Sequence, residues 1–110
     1  VRRGKRAEAK QAIKDVQLRE EKYRADNPKY GKMDELTGST TATTGYNNAL
    51  NYYTVSVDED TLTGSYYKIT ATRKGDLAND PKCGNFTMEY KDNTYINDVT
   101  SGDKTYCWGR

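Results

Sequence analysis

Three stretches of this 110-residue chain alternate apolar and polar side chains, and that alternation limits the fold more than anything else in it. In LNYYTVSVD, residues 50–58, Tyr53, Val55 and Val57 face one way and Tyr52, Thr54 and Ser56 the other. SYYKITATR, residues 65–73, sets Tyr67, Ile69 and Ala71 against Tyr66, Lys68, Thr70 and Thr72. GNFTMEYK, residues 84–91, sets Phe86, Met88 and Tyr90 against Thr87, Glu89 and Lys91. A short closing run, KTYCW at 104–108, reads as a last strand, and DEDTLTG between the first two runs reads as a turn. Period-two patterns of this kind are half-buried strands, so three or four of them make an antiparallel meander with one dry face and one wet face.

A dry face needs cover, and one segment supplies it. Residues 1–26, VRRGKRAEAKQAIKDVQLREEKYRAD, place Ala9, Ala12, Ile13, Val16 and Tyr23 at three- and four-residue spacings on one helical face. Good helix formers dominate, and no proline interrupts before Pro28. Asp15 with Arg19 and Glu20 with Arg24 stand one turn apart in the favourable order, each pair adding roughly 0.2–0.5 kcal/mol. Asn27-Pro28 ends the helix, because a residue before proline is pushed out of the α region. The expected fold is therefore α+β, one N-terminal helix packed on a three- to four-stranded antiparallel meander. Residues 28–49 show neither period and are expected to be a long loop, a length that suits a functional or mobile segment.

The other end of the helix is unusual. No Ser, Thr, Asp or Asn caps its first turn, and VRRGKR puts four positive charges where the helix dipole disfavours them. Such a helix is expected to continue upstream of Val1. No stretch approaches 18 apolar residues, so these residues contain no membrane span and no signal peptide.

Hydrophobic residues make up 34% of the chain, below the usual globular share, so the core is small. Two cysteines bear on that shortage. Free buried thiols are one reading of Cys83 and Cys107; an even count in a small, hydrophobe-poor domain favours a disulfide and an oxidising compartment. Cys83 is read as opening the third strand and Cys107 as lying in the last one.

No standard catalytic pattern appears. The chain has no histidine, which removes the Ser-His-Asp and Cys-His arrangements, and no CxxC, HExxH or phosphate-binding glycine loop. Asp58-Glu59-Asp60 reads as a solvated turn. Asp76 and Asp80 in KGDLANDPK have the chemistry of Ca²⁺ ligands but match no standard loop, so no metal and no cofactor is expected. Asn85-Phe86-Thr87 is a glycosylation sequon inside an expected strand. Ten tyrosines raise base stacking as a use, although alternating strand positions account for most of them.

Charge is uneven under a net of +2. Residues 1–26 carry nine Lys or Arg against five acids, while the rest of the chain is mildly acidic. A basic helix of this kind suits a nucleic-acid or membrane-surface contact, or is a solvated face. Outside it, Lys68, Arg73 and Lys74 form the only cationic cluster, and strand alternation points Arg73 away from Lys68. Duplex DNA is therefore expected to bind weakly, in the non-specific range of roughly 10⁻⁴ M, and through the first six residues.

Taken together, the basic alanine-bearing helix, the variable loop, the tyrosine-rich meander and the closing CG…TYCW pair resemble a type IV pilin, nearest the PilE-type minor pilins of Gram-negative bacteria. VRRGKRAEAKQAI is similar to the second half of their N-terminal helix, and KCGNFTMEY with KTYCW to their disulfide-bounded region. The resemblance implies one head domain over 1–110, with the half-helix at 1–26, the αβ-loop at 28–49 and the sheet and disulfide-bounded region at 50–110. It implies a non-enzymatic subunit preceded by a hydrophobic half-helix that sits in the inner membrane before assembly and in the filament core afterwards. Its partners would be other pilins, meeting it through residues 28–50 and 83–107 and covering Arg2, Arg3, Lys5 and Arg6, and the isolated head would be a monomer. The implied roles are pilus assembly and, through it, twitching motility, adhesion or DNA uptake, with the head in the periplasm and then outside the cell. Two alternatives stay open: a DNA-binding uptake pilin using Lys68, Arg73 and Lys74, and a type II secretion pseudopilin, which the terminal cysteine pair disfavours.

Overall fold

The computed structural model of the protein describes residues 2–109. Helix α1 spans Arg2–Ala25 and is followed by two short helices, α2 at Met33–Thr37 and α3 at Thr40–Asn48. Strands β1 (Tyr53–Val57), β2 (Tyr66–Arg73), β3 (Phe86–Lys91) and β4 (Thr94–Val99) then form one antiparallel sheet in the order β1-β2-β3-β4. Helix α4, Lys104–Gly109, closes the described chain. The fold is α+β, a helix on a four-stranded meander.

The alternating residues sit where their period puts them. Tyr53, Val55, Val57, Tyr67, Ile69, Ala71, Phe86 and Met88 are buried beneath α1, which contributes Ala9, Ala12, Ile13 and Val16. Register locks the row: Val55 stands opposite Ala71, and Ile69 opposite Val57 on one side and Met88 on the other. Polar contacts then fasten α1 laterally. The Glu8 carboxylate accepts the backbone N–H groups of Asn51, Tyr52 and Tyr53 at 2.7–3.1 Å, capping the entry to β1. Tyr23 lies on the flank of the stripe, half-exposed, with its hydroxyl donating to Glu35 at 2.8 Å.

Four features differ from the sequence reading. Residues 28–49 are not a featureless loop but carry α2 and α3. Helices of five and nine residues are too short to show a period, and Met33 is the one residue of the pair that is fully buried. Local chemistry holds them instead: Gly38 takes a left-handed turn at φ 111°, and the Ser39 hydroxyl caps the N–H of Ala42. The Asn47 side-chain amide then pairs with both backbone groups of Val55, covering the outer edge of β1.

The fourth strand is Thr94–Val99, not KTYCW. It follows β3 through a two-residue turn at Asp92-Asn93 with φ of 48° and 69°, the positive values a tight hairpin requires. All but the last of its residues are exposed, so no dry face marked it in the sequence. KTYCW belongs to helix α4, so Cys107 is helical, and Cys83 sits in an isolated bridge with Gly102 ahead of β3.

The Asp15–Arg19 pair forms at 3.0 Å, whereas Glu20–Arg24 does not. Glu20 is buried and accepts the Gly31 N–H, and Arg24 donates to the carbonyls of Gly64 and Asn27.

Finally, Arg6 is no surface charge. It is buried and grips Asp80 with two hydrogen bonds of 2.7 and 2.8 Å, while Lys5 pairs with Asp76 at 3.0 Å. The two carboxylates weighed as calcium ligands thus tie the 74–82 loop to α1. Among the described residues, no group of three or more His, Cys, Asp or Glu is placed to hold a metal.

Candidate functional site

The structure does not gather Lys68, Arg73 and Lys74 into a patch. Lys68 stands on the wet face of β2, directly across from Glu89 of β3. Arg73 turns the other way and donates one guanidinium nitrogen to the carbonyls of Asp80 and Cys83, at 2.9 and 3.2 Å. Lys74 reaches the carbonyl of Asn47 at 3.0 Å. Two of the three cations therefore stitch loops to the end of the sheet.

Cys83 and Cys107 are joined in a disulfide. It ties α4 to the segment that enters β3, and the fit there is close. Gly102 pairs with Cys83 at φ 93°, where a Cβ would lie 2.0 Å from the Lys82 carbonyl oxygen. Asp103 starts α4 by accepting the N–H of Tyr106 at 3.0 Å. Bridge and cap together set Tyr106 and Trp108 beside α1.

Cations collect on that side. Arg3, Lys10, Lys14 and Gln17 fall along one stripe of α1 at spacings of seven, four and three, which keeps them on a common face. Lys10 is half-buried, and its ammonium donates to the Trp108 carbonyl at 3.4 Å. Burial pulls its pKa below the ordinary lysine value, and the positive charges of Arg3 and Arg6 push it the same way. Arg6 and Lys82 both lie over the Tyr106 ring, at 5.7 and 5.9 Å from its centroid.

Two concavities open along this edge. One, about 440 Å³, is bounded by Arg3 and by Asp103, Thr105, Tyr106 and Gly109. The other, about 190 Å³, exists because α1 packs on β1, β2 and β3 and leaves β4 outside its cover. Ile13 and Met88 line its apolar part, Lys10, Lys14 and Gln17 the α1 side, and Asn97 and Trp108 the opposite side. The Trp108 indole is fixed, its Nε1–H donating to the Asp98 carbonyl at 2.8 Å and its ring meeting Phe86 edge-on at 5.4 Å.

Ammonium and guanidinium groups set beside aromatic rings are suited to holding a polyanion and the flat groups it carries. Sequence reasoning gave Arg3 and Arg6 to filament neighbours, with Arg2 and Lys5, and left Lys14 facing solvent. The common stripe of Arg3, Lys10 and Lys14 was visible in the spacing. The wall they face was not, because α4 was read as a strand and β4 was not read at all.

A family model described as type IV minor pilin ComP, DNA uptake sequence receptor, matches residues 1–87, from α1 into β3. No curated protein and no solved structure matches the chain.

Proposed function

Since this chain belongs to the ComP family of type IV minor pilins, we propose that it is a DNA-capturing subunit of the pilus. Membership makes it a structural pilus component at the cell surface, associated with other pilus subunits. No helix among the described residues is long and apolar enough to cross a membrane. The pseudopilin alternative has no counterpart in the match, which is to type IV minor pilins. Within that frame, DNA uptake is favoured over twitching motility or adhesion by one observation. The α1–α4 edge carries Arg3, Lys10 and Lys14 in a row beside Tyr106 and Trp108. Phosphates would be met there, not at Lys68, Arg73 and Lys74.

The test is fluorescence anisotropy of a labelled duplex across a salt series. Truncating residues 1–6 is unsuitable, because it removes Arg6 from the core. Charge reversal at the exposed Arg3 and Lys14 is clean. Arg3→Glu with Lys14→Glu should weaken binding and flatten the plot of log affinity against log salt by roughly 0.9 for each phosphate no longer neutralised. Absence of binding at low salt, or binding indifferent to both reversals, would favour the scaffold reading. For that reading, the exposed Tyr95 and Ile96 of β4 are the natural subunit contacts.

A further inference from the structure

The smaller cleft is the part of this edge with chemistry left to explain. Asn97 stands opposite Met88 in the β3–β4 ladder and so belongs to the helix-facing row with Tyr95 and Val99. An amide interrupts an otherwise apolar row at the point where α1 no longer covers the sheet. Across from it, α1 presents a second amide, Gln17, one turn on from Lys14, while the Tyr95 hydroxyl beyond the cleft donates to Glu21 at 3.3 Å. The described residues lining the cleft include two ammonium groups and no carboxylate.

Size and shape narrow the occupant. About 190 Å³ is below the roughly 300–1,000 Å³ of small-molecule sites, and suits one planar ring system. The site is also concave. Proteins that read a duplex insert side chains into its grooves, whereas a base that enters a protein cleft has first left the stack.

Building on the DNA-capture reading, we propose that this cleft seats one unpaired nucleobase of a DNA strand. Trp108 forms its aromatic wall, Gln17 and Asn97 address the base edge, and Lys10 and Lys14 meet the flanking phosphates. An amide donates and accepts, so a pair of them tolerates any base edge and favours those with adjacent donor and acceptor. Lys10 has a second task, since its bond to the Trp108 carbonyl holds the wall in place. The site then prefers single-stranded or frayed DNA to a closed duplex.

Trp108 is the only tryptophan, so its emission reports occupancy directly. The chain is titrated with a mixed-sequence single strand, with the blunt duplex of that strand, with the same strand made abasic, and with inorganic polyphosphate. The single strand should quench Trp108 and bind about tenfold or more tightly than the abasic strand, as expected for one base on an aromatic wall. The duplex should bind with little quenching, and polyphosphate with none. Asn97→Ala and Gln17→Ala should each weaken single-strand binding several-fold with an unchanged melting temperature, and Lys14→Ala should lower the salt slope by about 0.7. Equal quenching by polyphosphate, by the abasic strand or by the duplex overturns the proposal, as does single-strand binding indifferent to both amides; DNA capture survives those results. If no DNA binds at low salt, the capture reading fails and takes this one with it.

Discussion

Glu20 lies in the helix–sheet core, fully buried, with one oxygen accepting the Gly31 N–H at 2.7 Å and the other, among the described residues, without a hydrogen bond. The Tyr67 hydroxyl, within electrostatic reach of it, is likewise buried with no hydrogen-bond partner among the described residues. Burial raises the Glu20 carboxyl to about 7, only partly opposed by the Gly31 bond. Raised in the fold, this group favours the folded state fully below its unfolded value near 4.5, and that support is lost as pH climbs to about 7. Asp80 works in the opposite sense: the bond to Arg6 holds it at about 2, so its contribution is present above 3.8 and disappears as pH falls towards 2. The melting temperature should therefore peak in mildly acidic buffer. Glu20→Gln keeps the acceptor for Gly31 and should raise the melting temperature at pH 7 while flattening its decline between pH 4.5 and 7. A variant no more stable than the parent at neutral pH would remove Glu20 as the cause. Arg6→Ala strands a buried carboxylate and should cost about 3–5 kcal/mol in urea titrations, much of it recovered by Arg6→Met with Asp80→Leu. As residues these charges are plain in the sequence. As a pair they are not, because 74 positions separate them.

Periodicity carries information only for elements long enough, and one-sided enough, to show it. Helix α1 and strands β1 to β3 meet both conditions, so Ile13, Val55, Ile69 and Met88 were legible as core. Strand β4 meets neither, since Tyr95 and Ile96 are both exposed on its opposite faces. The YCW of α4 has strong strand propensity, and what makes it helical is the Asp103 cap and the bridge from Cys107, neither of which a period records. The candidate site inherits that asymmetry: the α1 side was readable from spacing, whereas Asn97 lies on a strand the sequence did not mark and Trp108 on a helix it read as a strand. Helix facing is testable with adjacent substitutions. Ile13→Asp puts a charge beneath the helix and should unfold or aggregate the domain, whereas Lys14→Asp, on the exposed side, should leave the melting temperature within a few degrees and weaken DNA binding. Equal loss of stability in both would mean the buried face is misassigned.

Across the whole molecule, the disulfide closes a loop of about 25 residues, for which constraint of the unfolded chain contributes roughly 3–4 kcal/mol. In so thin a core that should appear as a drop of about 10 °C or more in melting temperature on reduction. Alkylation under denaturing, non-reducing conditions should add no mass, and after reduction two equivalents. Reduction also frees α4, so DNA binding should weaken at temperatures where the sheet stays folded. Retained affinity in the reduced, folded protein would exclude α4 from the interface.

The attachments near the start of α1 also have a mechanical meaning. Lys5, Arg6 and Glu8 reach Asp76, Asp80 and the backbone of residues 51–53, three anchors on two segments, the 74–82 loop and the entry to β1, gripped within little more than one helical turn. A filament subunit transmits tension, and tension along α1 would load these three anchors side by side. Loads shared in parallel must break several bonds at once, whereas a peeling load breaks them one by one. The collar would then resist as a unit, with the buried Arg6–Asp80 pair the anchor least screened by solvent.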